Sequence, residues 1–82
     1  MPGRLRRLSG AEVVSILEGF GFQRVGQAGD HLKLRRLTDA GARETLVVPL
    51  HRELDLGTVR AIFRQASRYV SEADMRKLFY VD

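Results

Sequence analysis

Apolar residues along the chain follow two different periods, and the places where the period changes divide it into elements. Val13, Ile16, Leu17 and Phe20 fall three and four apart, the spacing of one face of a helix. Just upstream, Leu8-Ser9-Gly10-Ala11-Glu12-Val13 has the form of a helix start. Ser9 can accept from the Glu12 amide, Glu12 can reach back to the Ser9 amide, and Leu8 can pack on Val13. Gly21 offers a left-handed stop after Phe20, so a first helix is predicted over about residues 9–20.

Beyond it the period shortens. Phe22 to Gln27 alternates weakly and reads as a first strand, with Gly26 and Gly29 bracketing a turn. Leu32, Leu34 and Leu37 mark a second strand, and Thr38-Asp39-Ala40-Gly41-Ala42-Arg43 has turn chemistry. The β-branched run Thr45 to Val48 completes a hairpin that Pro49 ends. After a loop from Leu50 to Asp55, helical spacing returns in Leu56, Val59, Ile62, Phe63 and Ala66, with Asp55 as the cap. Ser71-Glu72-Ala73-Asp74 repeats the capping pattern between Val70 and the apolar Met75, Leu78 and Phe79, which predicts a short terminal helix.

The order helix, three strands, helix, helix is an α+β class. Its three-stranded antiparallel sheet needs a cover on one face, which the apolar stripes of the helices supply, leaving the other face for solvent or ligand. With no repeat, low-complexity tract or linker, residues 1–82 are expected to form a single domain. Within it, 1–7 are expected as a flexible basic arm carrying Arg4, Arg6 and Arg7, and 69–82 as a C-terminal helical extension.

Composition narrows the chemistry. At 82 residues the chain buries only roughly 60% of the surface its unfolded state exposes, which disfavours a large catalytic cleft. A hydrophobic share of 44% with 29% charged residues is that of a folded domain. There is no cysteine for a disulfide or a thiolate nucleophile, and two separated histidines without a carboxylate cluster do not make a zinc site, so neither metal nor cofactor is expected. No run approaches the ~18 apolar residues of a membrane span, and the basic start leads into an amphipathic segment, so no membrane association and a cytoplasmic location are expected. The net charge of +4 favours polyanionic or acidic partners.

Strand alternation turns His31, Lys33 and Arg35 to one face and Leu32 and Leu34 to the other. If the leucines face the helices, the basic trio occupies the open sheet face. An imidazole exchanges protons at neutral pH, and Lys33 or Arg35 can hold a phosphate and stabilise charge developing on it. RNA is then a natural substrate, because its 2′-hydroxyl is an internal nucleophile whose proton His31 can take as general base without a metal. On spacing alone the stronger reading is a His31 that only terminates a turn, on a polar strand face that meets water. His51 follows Pro49-Leu50 in a loop and would complete an acid/base pair if that loop folded toward His31, but nothing in the spacing forces the two together, so a solvated or loop-ordering role is expected. Arg60, Arg64 and Arg68 form a stripe on the second helix that can bind phosphate, bind an acidic partner, or simply face solvent.

Other chemistries fail on context. Gly26 and Gly29 precede a strand rather than opening a helix, so they are not a nucleotide fingerprint. Ser9 and Ser71 are explained as caps, not as nucleophiles. Phe20, Phe22, Phe63 and Phe79 read as core, which leaves Tyr69 and Tyr80 as the aromatic side chains open to other contacts.

Taken in order, several segments resemble the HicA family of bacterial toxins. Leu8 to Val14 with Leu17 and Gly21-Phe22 is similar to that family's opening helix, and Gly29-Asp30-His31 stands at its glycine-serine-histidine position. Val48-Pro49-Leu50-His51 and Gly57 to Ala66 are similar to its third strand and second helix. The resemblance implies a fold like that of a double-stranded-RNA-binding domain and a metal-independent mRNA interferase activity. It gives His31 the catalytic role, with Gly29, Lys33, Arg35, Arg60 and Arg64 at the RNA, and a HicB-type antitoxin covering the active face, often in higher-order complexes. Asp30 departs from the family's serine and sets a negative charge beside the phosphate path. The same basic face is open to two other uses, a non-catalytic RNA-binding module and an interaction domain for an acidic protein.

Overall fold

The computed structural model describes residues 3–81; Met1 and Pro2 of the expected arm and Asp82 of the extension lie outside the described residues. The elements run β1 (Arg4–Leu5), α1 (Gly10–Gly19), β2 (Gln23–Ala28), β3 (His31–Leu37), β4 (Arg43–Pro49), α2 (Leu56–Ala66), α3 (Glu72–Phe79) and β5 (Tyr80–Val81). β2, β3 and β4 form an antiparallel sheet in that order, and β1 pairs with β5 in a separate two-stranded sheet. The central arrangement is α+β, with the helix–sheet order of a double-stranded-RNA-binding domain.

Local chemistry sets the helix starts as expected. Ser9 Oγ accepts from the Glu12 amide at 3.0 Å, and the Ser9 amide donates to Glu12 Oε1 at 2.8 Å, a complete capping box. Asp55 and Ser71 accept from the amides of Thr58 and Asp74. α1 ends against Gly21, whose φ of +96° suits a residue without Cβ.

One core holds the layers together. Leu32, Leu34, Leu46 and Val48 of the sheet meet Val13, Val14 and Leu17 of α1, Val59, Ile62 and Phe63 of α2, and Met75 and Phe79 of α3. The helices therefore cover a single sheet face, the one the even-numbered residues of β3 present. Tyr69 and Tyr80 pack on this core, beside Phe22 and Phe63 respectively.

Three details differ from the sequence reading. The basic arm is in part a strand: Arg4 and Leu5 pair with Val81 and Tyr80, and the Arg6 side chain donates to the Leu78 carbonyl at 2.6 Å. β5 is too short to show a period, and its partner lies at the far end of the chain. Gly26 sits inside β2 rather than in a turn, next to a bulge at which Val25 drops out of the pairing between Arg24 and Gly26, which explains the weak alternation. Leu37 shares the odd-numbered face and is 63% exposed, because the buried set on β3 consists of Leu32 and Leu34.

Candidate active site

Site geometry begins at the β2–β3 hairpin. Ala28 pairs with His31, so Gly29 and Asp30 form a two-residue loop, and Gly29 takes a φ of +59° as the first central residue, the glycine position of a type II′ turn. Gly29 is thus required by backbone conformation; its carbonyl accepts from the Gln27 side chain at 2.9 Å. The turn leaves Asp30 at the tip and His31 as the first residue of β3.

From there the alternation proceeds as expected. His31, Lys33 and Arg35 line one open concavity of about 430 Å³ with Val25, Gln27 and Val47. Among the described residues neither Lys33 nor Arg35 has a carboxylate partner, and Arg35 makes only a long 3.5 Å contact to the Thr45 hydroxyl. Two unpaired cations beside an imidazole constitute an anion-accepting surface.

His51 belongs to the same cluster: it stays about half exposed, and its ring is tied to Asp30. β3 and β4 pair with His31 opposite Pro49, and the Leu50 amide extends the ladder by donating to the Asp30 carbonyl at 2.6 Å. The next carbonyl, that of His51, accepts from the Gly10 amide at 2.9 Å. This clamp depends on Gly10: a Cβ there would collide with the Pro49 carbonyl oxygen and lie 2.8 Å from Leu50 Cα. With the backbone so held, His51 Nε2 lies 2.7 Å from Asp30 Oδ2, and His31 Nδ1 lies 2.9 Å from Asp30 Oδ1. The hydrogen bond from His51, reinforced by the charges of both imidazoles, holds the Asp30 carboxyl below the ordinary carboxylate range.

Each imidazole meets a different oxygen of one carboxylate, so the three groups form a chain rather than converging on a common point. Among the described residues no set of His, Asp and Glu side chains is placed to hold a metal ion. The signal for His51 was present in the sequence: the predicted turn at residues 38–43 is centred near Ala40, and pairing symmetric about that point sets Asp30 opposite Leu50, one residue from His51.

The second-helix arginines lie elsewhere. α2 packs on the covered face through Val59, Ile62, Phe63 and Ala66, so its exposed Arg60 and Arg64 are on the other side of the sheet from His31; Arg68, expected on the same stripe, lies beyond the helix, which ends at Ala66. Arg60 lines a separate groove with Arg4, Arg6 and Tyr80.

Sequence reading also missed Arg36. It turns to the covered face, pairs with Glu44 Oε1 at 2.7 Å, donates to the carbonyls of Phe20 at 3.0 Å and Tyr69 at 2.7 Å, and lies over the Phe22 ring at 5.2 Å. Its place between Arg35 and Leu37 at an even position was the available clue.

No helix among the described residues is long and apolar enough to cross a membrane. In comparisons with known proteins, no curated protein and no solved structure matches the chain. A protein-family model described as HicA toxin of bacterial toxin-antitoxin matches residues 10–67, the span from the start of α1 to the end of α2.

Proposed function

Since the chain belongs to the HicA family of bacterial toxins, whose model spans residues 10–67, we propose that it is a metal-independent endoribonuclease that cleaves mRNA at the His31 face and is neutralised by a HicB-type antitoxin. The observation that carries this reading is the single concavity that gathers His31 with the unpaired Lys33 and Arg35. His31 removes the proton of a ribose 2′-hydroxyl, and the 2′-oxygen forms a new bond to phosphorus. Lys33 and Arg35 stabilise the charge growing on the phosphoryl oxygens. As the bond to the 5′-oxygen breaks, that oxygen takes a proton from solvent, leaving a 2′,3′-cyclic phosphate and a 5′-hydroxyl. No step calls for a metal.

Base stacking has little support on this surface, because the open face carries the apolar Val25, Leu37 and Val47 rather than aromatic rings. Recognition then rests on phosphate contacts, with Gly29 setting the turn beside them. On the same face, Val25 and Val47, 47% and 42% exposed, flank Lys33 and Arg35, a combination of apolar and cationic groups that suits an acidic protein partner. Antitoxin docking there would exclude RNA directly. Arg60 and Arg64 would meet only an RNA long enough to pass around the domain edge.

The test is RNA cleavage by the purified protein in excess chelator, followed by addition of the antitoxin. Cleavage that persists in chelator and stops on antitoxin binding supports the reading. Salt-dependent binding without cleavage marks an RNA-binding module instead, and no binding at low salt marks a protein-interaction domain.

A further inference from the structure

His31 and His51 both rest on one carboxylate, and the side chains of all three groups are about half exposed. That carboxylate is Asp30, at the tip of the β2–β3 turn. A neutral imidazole carries a single N–H, and a ring nitrogen facing a carboxylate oxygen is the one that keeps it. His31 presents Nδ1 to Asp30 Oδ1 at 2.9 Å, so its proton belongs on Nδ1 and its lone pair on Nε2, the nitrogen turned away from Asp30. His51 presents Nε2 to Asp30 Oδ2 at 2.7 Å and closes the other side.

We propose that Asp30 is a positioning residue of this site: its carboxylate, clamped from behind by His51, fixes the His31 imidazole in the tautomer whose bare Nε2 acts as base. The proposal rests on reading His31 as the proton acceptor. A carboxylate that orients an imidazole by its Nδ1–H is a general device for preparing Nε2 as a base. Three backbone features hold this one in place. They are the Gly29 turn, the Leu50 amide on the Asp30 carbonyl and the Gly10 amide on the His51 carbonyl. A serine hydroxyl at position 30 would lack the second oxygen needed to engage both rings and the charge that commits each ring to donating.

The remaining groups around the pair do not compete for the Nδ1 proton. Lys33 and Arg35 on β3 are cations, Gln27 on β2 is neutral, and Val47 on β4 is apolar. Asp55, whose carboxylate senses the His51 charge, is engaged by the Thr58 amide as the cap of α2.

Two readouts on the full chain test the assignment. Long-range proton–nitrogen NMR on RNA-free protein, at a pH where the imidazoles are neutral, reports which ring nitrogen of His31 is protonated. The parent is expected to hold Nδ1–H, and Asp30→Ser to move toward the Nε2–H form that an unconstrained imidazole prefers, with His51→Ala moving part of the way. In RNA cleavage, Asp30→Ser and Asp30→Asn are expected to lose roughly 10- to 100-fold in kcat with KM changed by less than about 2-fold, the split expected when binding is kept and the base is misaligned. A parent His31 protonated on Nε2, or an Asp30→Ser protein with parental kcat, overturns the proposal. His31→Ala separates the two levels of inference: if it cleaves like the parent, the reading of the site fails, whereas its loss of cleavage beside an unaffected Asp30→Ser protein overturns the role of Asp30 alone.

Discussion

Arg35 and Arg36 are neighbours on β3, yet they face opposite sides of the sheet and meet opposite conditions. Arg36, on the covered side, pairs with Glu44, donates to the Phe20 carbonyl at the end of α1 and to the Tyr69 carbonyl between α2 and α3, and lies over Phe22. Arg35, on the open side, has one long contact to Thr45 and lines the concavity with His31 and Lys33. On the covered face, among the described residues, no buried side-chain polar atom lacks a partner. On the open face, among the described residues, Lys33 and Arg35 have no carboxylate partner, and the imidazoles are held by Asp30. In the proposed reading, stability and chemistry are divided between alternate residues of one strand, and substitutions on its two sides should separate them.

The largest expected loss of stability is Leu34→Ala, which removes a fully buried side chain from the centre of the covered face. It should lower unfolding free energy by about 2–5 kcal/mol in a denaturant titration. Next comes Arg36→Met, at about 2–3 kcal/mol, since it leaves a mostly buried Glu44 without its partner; Arg35→Met should change stability by less than about 0.5 kcal/mol. Equal effects from the two arginines would end the comparison. Ser9→Ala should cost about 1 kcal/mol by removing one half of the capping box, with cleavage per folded molecule unchanged.

The smallest effect is that of pH. The carboxyls of Glu12, Asp30 and Asp55 are all held below their ordinary range, the first and third chiefly by capping amides and Asp30 chiefly by His51. A carboxyl whose folded value is depressed stabilises the fold above its unfolded value, and that contribution is lost as pH falls through the folded one. Denaturation midpoints should therefore stay level from neutral pH down to the upper edge of the carboxylate range and decline below it. Asp30→Asn should remove only the part of the decline that belongs to the open face.

Much of this division was legible in the chain. The capping residues Ser9, Asp55 and Ser71, the helical stripes and the alternation of Leu32 and Leu34 are local signals, and each fixes an element or a face without reference to distant residues. Alternation likewise placed His31, Lys33 and Arg35 together. What escaped depends on pairing across distance. His51 joins the site through the β3–β4 register and through a Gly10 contact that no local pattern encodes, and β1 finds its partner only at β5. Arg36 was hidden by its chemistry: a guanidinium reads as surface, and its covered position makes sense only once Glu44 and the carbonyls of Phe20 and Tyr69 surround it.

The central claim is that the open face works through His31, and the most direct measurement is the rate of RNA cleavage by parent and His31→Ala proteins, side by side in excess chelator. A fall of about 100- to 10,000-fold, with an unfolding midpoint equal to the parent's, is the predicted result. Cleavage at the parental rate by a folded His31→Ala protein would contradict it.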